Sequence, residues 1–269
     1  MIGMFVLYPV IYGLWLSFQS WNGLSPATWI GLGNYERAFS DPIFWESLGH
    51  NVEYVITSVV AKMIIGLGLA ILVNRKIRGI GAYRTILFIP VMLSFVAVAL
   101  LWSWIYNPVF GLLDDLLQVF GIGKISWLGS SSLALWAIIA VDVWKWAGYH
   151  MVLFLAGLQG ISPQLYEAAA VDGATRTRAF LRITLPLLVP VLVINLVLAV
   201  QGGFNVFELP FIMTKGGPFY ASSVVSVYSY IQAFQFYQFS YGDAMAYILL
   251  VIVIIVTGLQ LRVMRRLNN

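Results

Sequence analysis

The sequence lacks cysteine entirely, holds only two histidines, and has charged side chains at only 10% of its 269 residues. Without cysteine there are no disulfides and no thiolate chemistry, and His50 and His150 lie too far apart in the sequence for a metal-ligand motif. Soluble domains carry about 25% charged residues. This chain is instead 61% hydrophobic with a mean hydropathy of +0.88, which is typical of an integral membrane protein.

Motifs for energy conversion and covalent catalysis are also missing. The sequence has no G-x-x-x-x-G-K-[ST] phosphate loop, no H-E-x-x-H motif and no G-x-S-x-G nucleophile elbow. A membrane-embedded enzyme therefore finds no support, and a pump built on this chain needs energy from another subunit or from an ion gradient. We expect no signal peptide, because no basic segment or small-residue cleavage site precedes the first apolar run, and any cytoplasmic lead is expected to be missing or very small.

Six segments are apolar over the roughly 20 residues that a spanning helix needs. These predicted spans are 2–18, 52–73, 85–104, 133–158, 187–207 and 244–261. We therefore expect an all-α integral membrane protein whose residues 1–269 form a single transmembrane domain, with a kink near Pro90 in the third span. Residues 22–50, 107–132 and 208–243 are expected to be loops.

The placement of Lys and Arg predicts the orientation of the spans. One set of loops and the tail carries ten basic residues: Arg75, Lys76, Arg78, Arg84, Arg176, Arg178, Arg182, Arg262, Arg265 and Arg266. The opposite set carries three: Arg37, Lys124 and Lys215. Because basic loops stay in the cytoplasm, both termini and the segment around residue 170 are predicted to be cytoplasmic. The basic pI of 9.3 is thus a topology signal and does not indicate nucleic-acid binding.

A polar stretch at 160–186 interrupts the apolar runs and has the pattern of two short helices. Ser162 can cap the first helix, Pro163 can occupy its first position, and Gly173 can end it in a left-handed conformation. A second helical pattern then stops before Pro186. The stretch is typical of a structured surface that makes contacts outside the membrane, and an ordinary interhelical loop is the alternative.

Three charged residues fall near the middle of predicted spans: Lys62 in the second, and Asp142 and Lys145 in the fourth. Each costs roughly 2.5–3.5 kcal/mol at a helix centre, so these side chains should face protein or water. Asp142 and Lys145 are three residues apart and can pair on one helix face. A local structural pair is the favoured interpretation, and the alternatives are wall residues of a polar pathway or a proton relay. His150 is expected to be a packing histidine.

Polar residues also cluster late in the fifth span and just after it. The candidate pathway residues there are Asn195, Gln201, Asn205 and Glu208, in addition to Asp142 and Lys145. The pair Gly202-Gly203 is predicted to break or thin the helix and let a ligand approach the backbone, with fraying at the membrane edge as the alternative.

The polar stretch resembles the EAA motif of binding-protein-dependent ABC importer permeases. The matching residues are Glu167-Ala168-Ala169, then Asp172-Gly173-Ala174, with Leu185-Pro186 after a gap. Four further segments are similar to the carbohydrate branch: 31–35, 144–145, 156–159 and 214–218. The Gly-Gly-Pro loop within the last of them resembles the first permease of the maltose and glycerol-3-phosphate type.

The resemblance implies a multi-pass permease of a bacterial or archaeal cytoplasmic membrane, for a sugar or related polyol. It implies a second permease, two ATPase subunits that bind ATP and Mg, and an extracytoplasmic solute-binding protein, with no cofactor or ATPase site in this chain. A cytoplasmic coupling helix between spans four and five would dock on an ATPase through Glu167, Ala168, Ala169, Asp172 and Gly173. A stand-alone secondary transporter or channel is the alternative function.

Overall fold

A computed structural model describes residues 3–75 and 78–267, with side chains described as far as residue 262. Lys76 and the side chains of Arg265 and Arg266, which entered the orientation argument, lie outside that part, as does Ile2. The elements of the first half are a π-helical turn at Gly3–Leu7, α1 (Tyr8–Ser17), β1 (Gln19–Ser20), β2 (Thr28–Trp29), α2 (Gly33–Ser40), α3 (Pro42–Val73), α4 (Ile80–Met92), α5 (Phe95–Ile105) and α6 (Leu112–Gln118).

The second half begins with the long helix that follows the predicted polar segment 107–132. Its elements are α7 (Ala134–Gln159), α8 (Pro163–Val171), α9 (Arg176–Ala179), a π-helical turn at Phe180–Thr184, α10 (Leu185–Phe204), α11 (Glu208–Thr214), α12 (Val225–Tyr230), a π-helical turn at Ile231–Gln235 and α13 (Phe239–Leu267). The prediction of an all-helical chain is therefore correct apart from one small hairpin, in which β1 pairs antiparallel with β2.

Within the described residues, four helices are long and apolar enough to cross a membrane: Pro42–Val73, Ala134–Gln159, Arg176–Phe204 and the last helix from Phe239. The bent pair α4–α5 gives a fifth candidate, and Gly3–Ser17 is a shorter apolar helix. Each of the six predicted spans thus coincides with helical structure.

The third predicted span is not one kinked helix. Helix α4 runs through Pro90 to Met92, and α5 leaves it at an angle of 99°. Ser94 separates the two helices in an extended conformation, and its Oγ accepts a hydrogen bond from the backbone N–H of Ala97 at 3.2 Å. This N-cap starts a new helix in a new direction, so the break follows Pro90 by a few residues.

The predicted loop at 22–50 is largely structured. Helix α3 starts at Pro42, ten residues before the predicted span, because Asp41 caps it: Oδ1 accepts the N–H of Ile43 at 2.9 Å. The other oxygen, Oδ2, accepts hydrogen bonds from the hydroxyls of Tyr228 at 2.6 Å and Tyr241 at 2.7 Å. Burial raises the pKa of Asp41, but these hydrogen bonds and those of the helix N-terminus outweigh burial and hold the pKa below its usual range.

The fifth predicted span begins earlier than expected. Its helix runs from Arg176 to Phe204 and passes through Pro186, where the pattern was predicted to stop. The turn before this proline, Phe180–Thr184, is π-helical. A wider turn of this kind accommodates a residue that cannot donate an N–H, so the second helical part of the polar stretch and the predicted span form one continuous helix.

The segment 208–243, predicted to be a loop, folds into α11, α12 and the start of α13. Its apolar side chains explain this difference: Leu209, Val224, Val225 and Val227 are all fully buried. Burying a side chain of this size contributes roughly 1.5–3 kcal/mol, which is enough to order a short connection over the ends of the spans.

Helices α3 and α7 pack at the centre of the molecule. Gly66 of α3 makes this possible, because a Cβ added there would lie 2.8 Å from the Cβ of His150 on α7. Gly148 of α7 meets α4 more closely still, with the carbonyl oxygen of Leu87 only 2.1 Å from an added Cβ. Close contacts on two sides place the middle of α7 in the interior, where Ile138, Val141 and Met151 are fully buried.

Candidate functional site

A cavity of about 440 Å³ lies where the middle of α7 faces α3, α10 and the start of α11. Its lining combines charged, amide and aromatic side chains: Lys62, Phe95, Asp142, Trp146, Tyr149, His150, Leu198, Ala199, Gly202, Asn205, Val206 and Glu208. A largely apolar wall with a few convergent polar groups is the usual composition of a small-molecule site. We call it the central cavity.

Lys62 of α3 and Asp142 of α7 form an ion pair across the helix interface. Lys62 Nζ lies 2.5 Å from Asp142 Oδ2, and the two residues are only 3% and 4% exposed. The predicted pair between Asp142 and Lys145 is therefore wrong, because the tight packing of α3 on α7 supplies a better partner from another helix. Pairing offsets the cost of placing each charge inside the membrane.

Lys145 does not line the central cavity, and its ammonium lies behind the rings of Phe95 and Trp146, at the break between α4 and α5. Its ammonium donates to three backbone carbonyls, those of Pro90 at 3.2 Å, Val91 at 3.2 Å and Leu93 at 2.6 Å. It also lies 4.8 Å from the ring centroid of Phe95. Carbonyls at a helix C-terminus have no partner within the helix and carry a partial negative charge. Lys145 thus stabilises the sharp bend.

His150 and Asn195 connect α7 to α10. His150 Nδ1 and Asn195 Oδ1 are 2.7 Å apart, and Asn195 Nδ2 donates to the carbonyl of Val191 at 3.1 Å. Both residues are buried, and only His150 lines the cavity. The prediction of a packing histidine describes this contact, but the same ring also forms part of the cavity wall.

The remaining pathway candidates lie in two places. Asn205 and Glu208 line the central cavity, whereas Gln201 faces a second cavity of about 690 Å³ between α10 and α13, which Asn205 also lines. The glycine pair does not break the helix, because α10 continues to Phe204. Gly203 packs on Val55, with 3.0 Å between an added Cβ and Cγ2, while Gly202 opens into the cavity.

Sequence reasoning missed the aromatic part of the wall. Trp146 and Tyr149 lie edge to face with ring centroids 5.6 Å apart, and Phe95 lies 6.1 Å from Trp146. Trp146 lies four residues after Asp142, and Tyr149 lies three residues after Trp146, so all three share one helix face. That periodicity was the available signal. No such signal marked Phe95 in the sequence, because the bend between α4 and α5 is what places Phe95 at the cavity.

The polar stretch forms a separate surface around α8. Pro163 occupies the first turn, and Gly173 has φ +72° and ends the helix as predicted. Its N–H donates to Ala170 O at 3.1 Å, and that of Ala174 donates to Ala169 O at 2.8 Å, which is a Schellman ending. The predicted cap differs, because the hydroxyl of Ser162 contacts Gln164 Oε1 and no backbone N–H.

Helix α8 buries none of its residues. Glu167, Ala168, Asp172 and Gly173 are exposed, and Ala169 is half-buried above a small cavity of about 330 Å³ between α8 and the helix that follows. A hydrogen bond of 2.8 Å between the hydroxyls of Tyr166 and Thr184 ties α8 to the base of α10. A movement of α8 would therefore be transmitted to a spanning helix.

Apolar helices around a cavity with a few convergent polar groups, joined to an exposed helix outside the apolar region, are the arrangement of a membrane transport component. Residues 62–269 match the family described as binding-protein-dependent transport system inner membrane component, and the chain belongs to this family.

Two relatives and two solved structures illustrate the similarity. The chain is 37% identical over 264 residues to the probable ABC transporter permease protein YurN of Bacillus subtilis, covering 96% of this chain and 90% of YurN. It is 35% identical to the trehalose/maltose transport system permease protein MalF of Thermococcus litoralis, covering 97% of this chain and 88% of that protein.

The solved structures concern a bacterial ABC transporter involved in the import of the acidic polysaccharide alginate. One chain of it matches with a TM-score of 0.88 and 26% identity, over 100% of this chain and 92% of that chain. The same kind of transporter in complex with an alginate pentasaccharide-bound periplasmic protein matches with a TM-score of 0.86 and 25% identity, over 98% and 90%.

Proposed function

We propose that this chain is the membrane-spanning subunit of an ATP-binding-cassette importer and forms half of the translocation pathway for a sugar or related polyol. The observation that carries the proposal is the exposure of α8, a well-formed helix between two long apolar helices that buries none of its own residues. Such a helix is stable only by its attachment to the spans, and its free surface suits a partner outside the membrane. Family membership supports the same assignment.

The proposal includes six spans within one domain, residues 1–269, with both termini in the cytoplasm. Four long helices, the bent α4–α5 pair and the apolar helix Gly3–Ser17 supply the six. Arg176, Arg178 and Arg182 beside α8 favour a cytoplasmic position for it. Localisation in the cytoplasmic membrane of a bacterium or archaeon follows from this topology and from the inner-membrane family.

In this function α8 is the coupling helix. Glu167, Ala168, Ala169, Asp172 and Gly173 would contact an ATPase subunit, with small side chains allowing close approach and Glu167 offering an acceptor for polar groups. Two such subunits would bind ATP and Mg, so this chain needs no cofactor and no ATPase site of its own. The hydrogen bond between Tyr166 and Thr184 then passes force to α10.

The other proposed partners are a second permease, a solute-binding protein on the outer side and membrane lipid, with no nucleic acid. The central cavity would be this chain's share of the pathway, which assigns Asp142, Asn205 and Glu208 to its wall, with Asn195 supporting His150. Gln201 would face the second cavity, and Lys145 would hold the bend. Rocking of the spans between two states would move the solute across.

The test is uptake into proteoliposomes that contain the complete importer, using the sugar that its co-purifying binding protein binds. Gly173→Pro should abolish ATP-dependent uptake, because proline cannot adopt φ +72°, and Glu167→Ala should reduce it strongly. Thr177→Ala, an exposed change on α9, is the matched control. Wild-type uptake by Gly173→Pro would contradict the coupling role, and solute flux from the purified chain without ATP would favour a stand-alone transporter.

A further inference from the structure

The charges around the central cavity do not balance. Lys62 is cancelled by Asp142 at 2.5 Å, and His150 faces the amide of Asn195. Lys145, the other lysine near the middle of the membrane, does not line the cavity and is satisfied by carbonyls of the bend. The wall is thus left with the carboxylate of Glu208.

Glu208 stands at the first position of α11 and is partly exposed to the cavity. Among residues 3–75 and 78–262, no ion pair involves its carboxylate, since the ion pair present joins Lys62 to Asp142. In a confined, poorly solvated space one uncompensated charge sets the sign of the local potential. Among the residues that the structure describes, an anion that enters therefore meets a carboxylate and no lysine or arginine of the wall without a counter-charge.

The uncharged part of the wall suits a different ligand. The aromatic faces of Phe95, Trp146 and Tyr149 offer apolar contact, and Asn205 with Glu208 offers hydrogen-bonding groups for hydroxyls. Neutral polyhydroxylated rings present both apolar C–H faces and hydroxyls, so they can use the whole wall.

Resting on the proposed function, we infer that Glu208 is a specificity-determining residue that makes the central cavity accept neutral saccharides and reject anionic ones such as uronates or sugar phosphates. This would distinguish the chain from the alginate importer that shares its fold, whose polysaccharide is acidic.

The absence of cysteine from the chain makes this testable by charge-selective labelling. Gly202 lines the cavity, and a Cβ added there meets nothing within 4 Å, so Gly202→Cys introduces one reporter thiol. The importer complex carrying it is treated with methanethiosulfonates bearing a sulfonate, a hydroxyl or a trimethylammonium group. Mass spectrometry of this chain, separated from the other subunits, gives the rate at which each reagent labels the thiol. Each labelling rate is then divided by the rate at which the same reagent reacts with 2-mercaptoethanol in solution.

The sulfonate reagent should react about tenfold more slowly than the trimethylammonium reagent after this normalisation. Adding Glu208→Gln should bring the two rates within about twofold, whereas Asp115→Asn, which removes an exposed acid outside the cavity, should leave the ratio unchanged. Because thiol reactivity affects all reagents alike, the ratio reports charge only.

Equal sulfonate and trimethylammonium rates in the complex, or a faster sulfonate, would overturn the inference, and so would an unchanged ratio in Glu208→Gln. These outcomes leave ATP-dependent uptake, and with it the proposed function, intact. A tenfold ratio that Glu208→Gln removes, in a complex without ATP-coupled uptake of any saccharide, would support the charge assignment and contradict the proposed function instead.

Discussion

The central cavity and helix α8 place polar residues under opposite conditions. Beside the cavity, Lys62 and Lys145 are buried and have partners within the chain, Asp142 and the carbonyls of the bend, and the partly exposed Glu208 is the exception. On α8, Glu167 and Asp172 are exposed, and no residue of the helix is buried. Substitutions near the cavity should therefore act first on stability, and substitutions on α8 should act on association with a partner.

The largest expected effect comes from breaking the buried ion pair. Asp142→Asn leaves the ammonium of Lys62 without a counter-charge, which should lower the free energy of unfolding by about 3–5 kcal/mol. Denaturant unfolding of the purified chain in detergent micelles measures this change in the free energy of unfolding. The conservative control is Asp115→Asn on α6, an exposed acid whose change should stay within about 0.5 kcal/mol.

A double variant separates loss of attraction from the cost of an isolated charge. Lys62→Met with Asp142→Leu removes both charges and should be more stable than Asp142→Asn alone, because no unpaired ion remains. If the double variant were as unstable as the single one, pairing of the buried charges would not explain stability at the cavity. The shape of the side chains would then determine it.

A smaller effect is expected at the bend. Lys145→Met keeps the length of the side chain but removes hydrogen bonds to Pro90, Val91 and Leu93, and should cost about 2 kcal/mol. Lys124→Met is matched, since Lys124 also donates to a backbone carbonyl, that of Val109 at 3.0 Å, but is exposed. Equal unfolding free energies for the two variants would show that burial of the ammonium contributes nothing.

Much of the helical framework could be predicted from the sequence. Apolar length located the long helices, and Pro163 with Gly173 located the ends of α8, because these signals are local. For the bend after Pro90, the sequence predicted the approximate position but not the angle. Proline marked the neighbourhood, but the 99° angle depends on Lys145, which lies 52 residues from its acceptor Leu93.

The cavity was harder to predict for the same reason. Asp142 was correctly placed inside the protein, yet its partner is Lys62 on another helix, and spacing along α7 pointed to Lys145 instead. Local periodicity cannot say which of two helices packs closer. Gly66 determines the partner of Asp142, because its missing side chain lets α3 pack close to His150 on α7.

The smallest effect on stability is expected on α8 itself. Val171 is 88% exposed, so Val171→Ser removes apolar surface that is already in water and should change the unfolding free energy by less than about 0.5 kcal/mol. In the proposed coupling role, Val171 lies next to Asp172 on the surface that an ATPase subunit would contact. The same variant should therefore weaken co-purification of an ATPase subunit, while Thr177→Ala should not. A loss of stability without loss of association would reverse the contrast between α8 and the cavity, because α8 would then belong to the folded core and not to an interface.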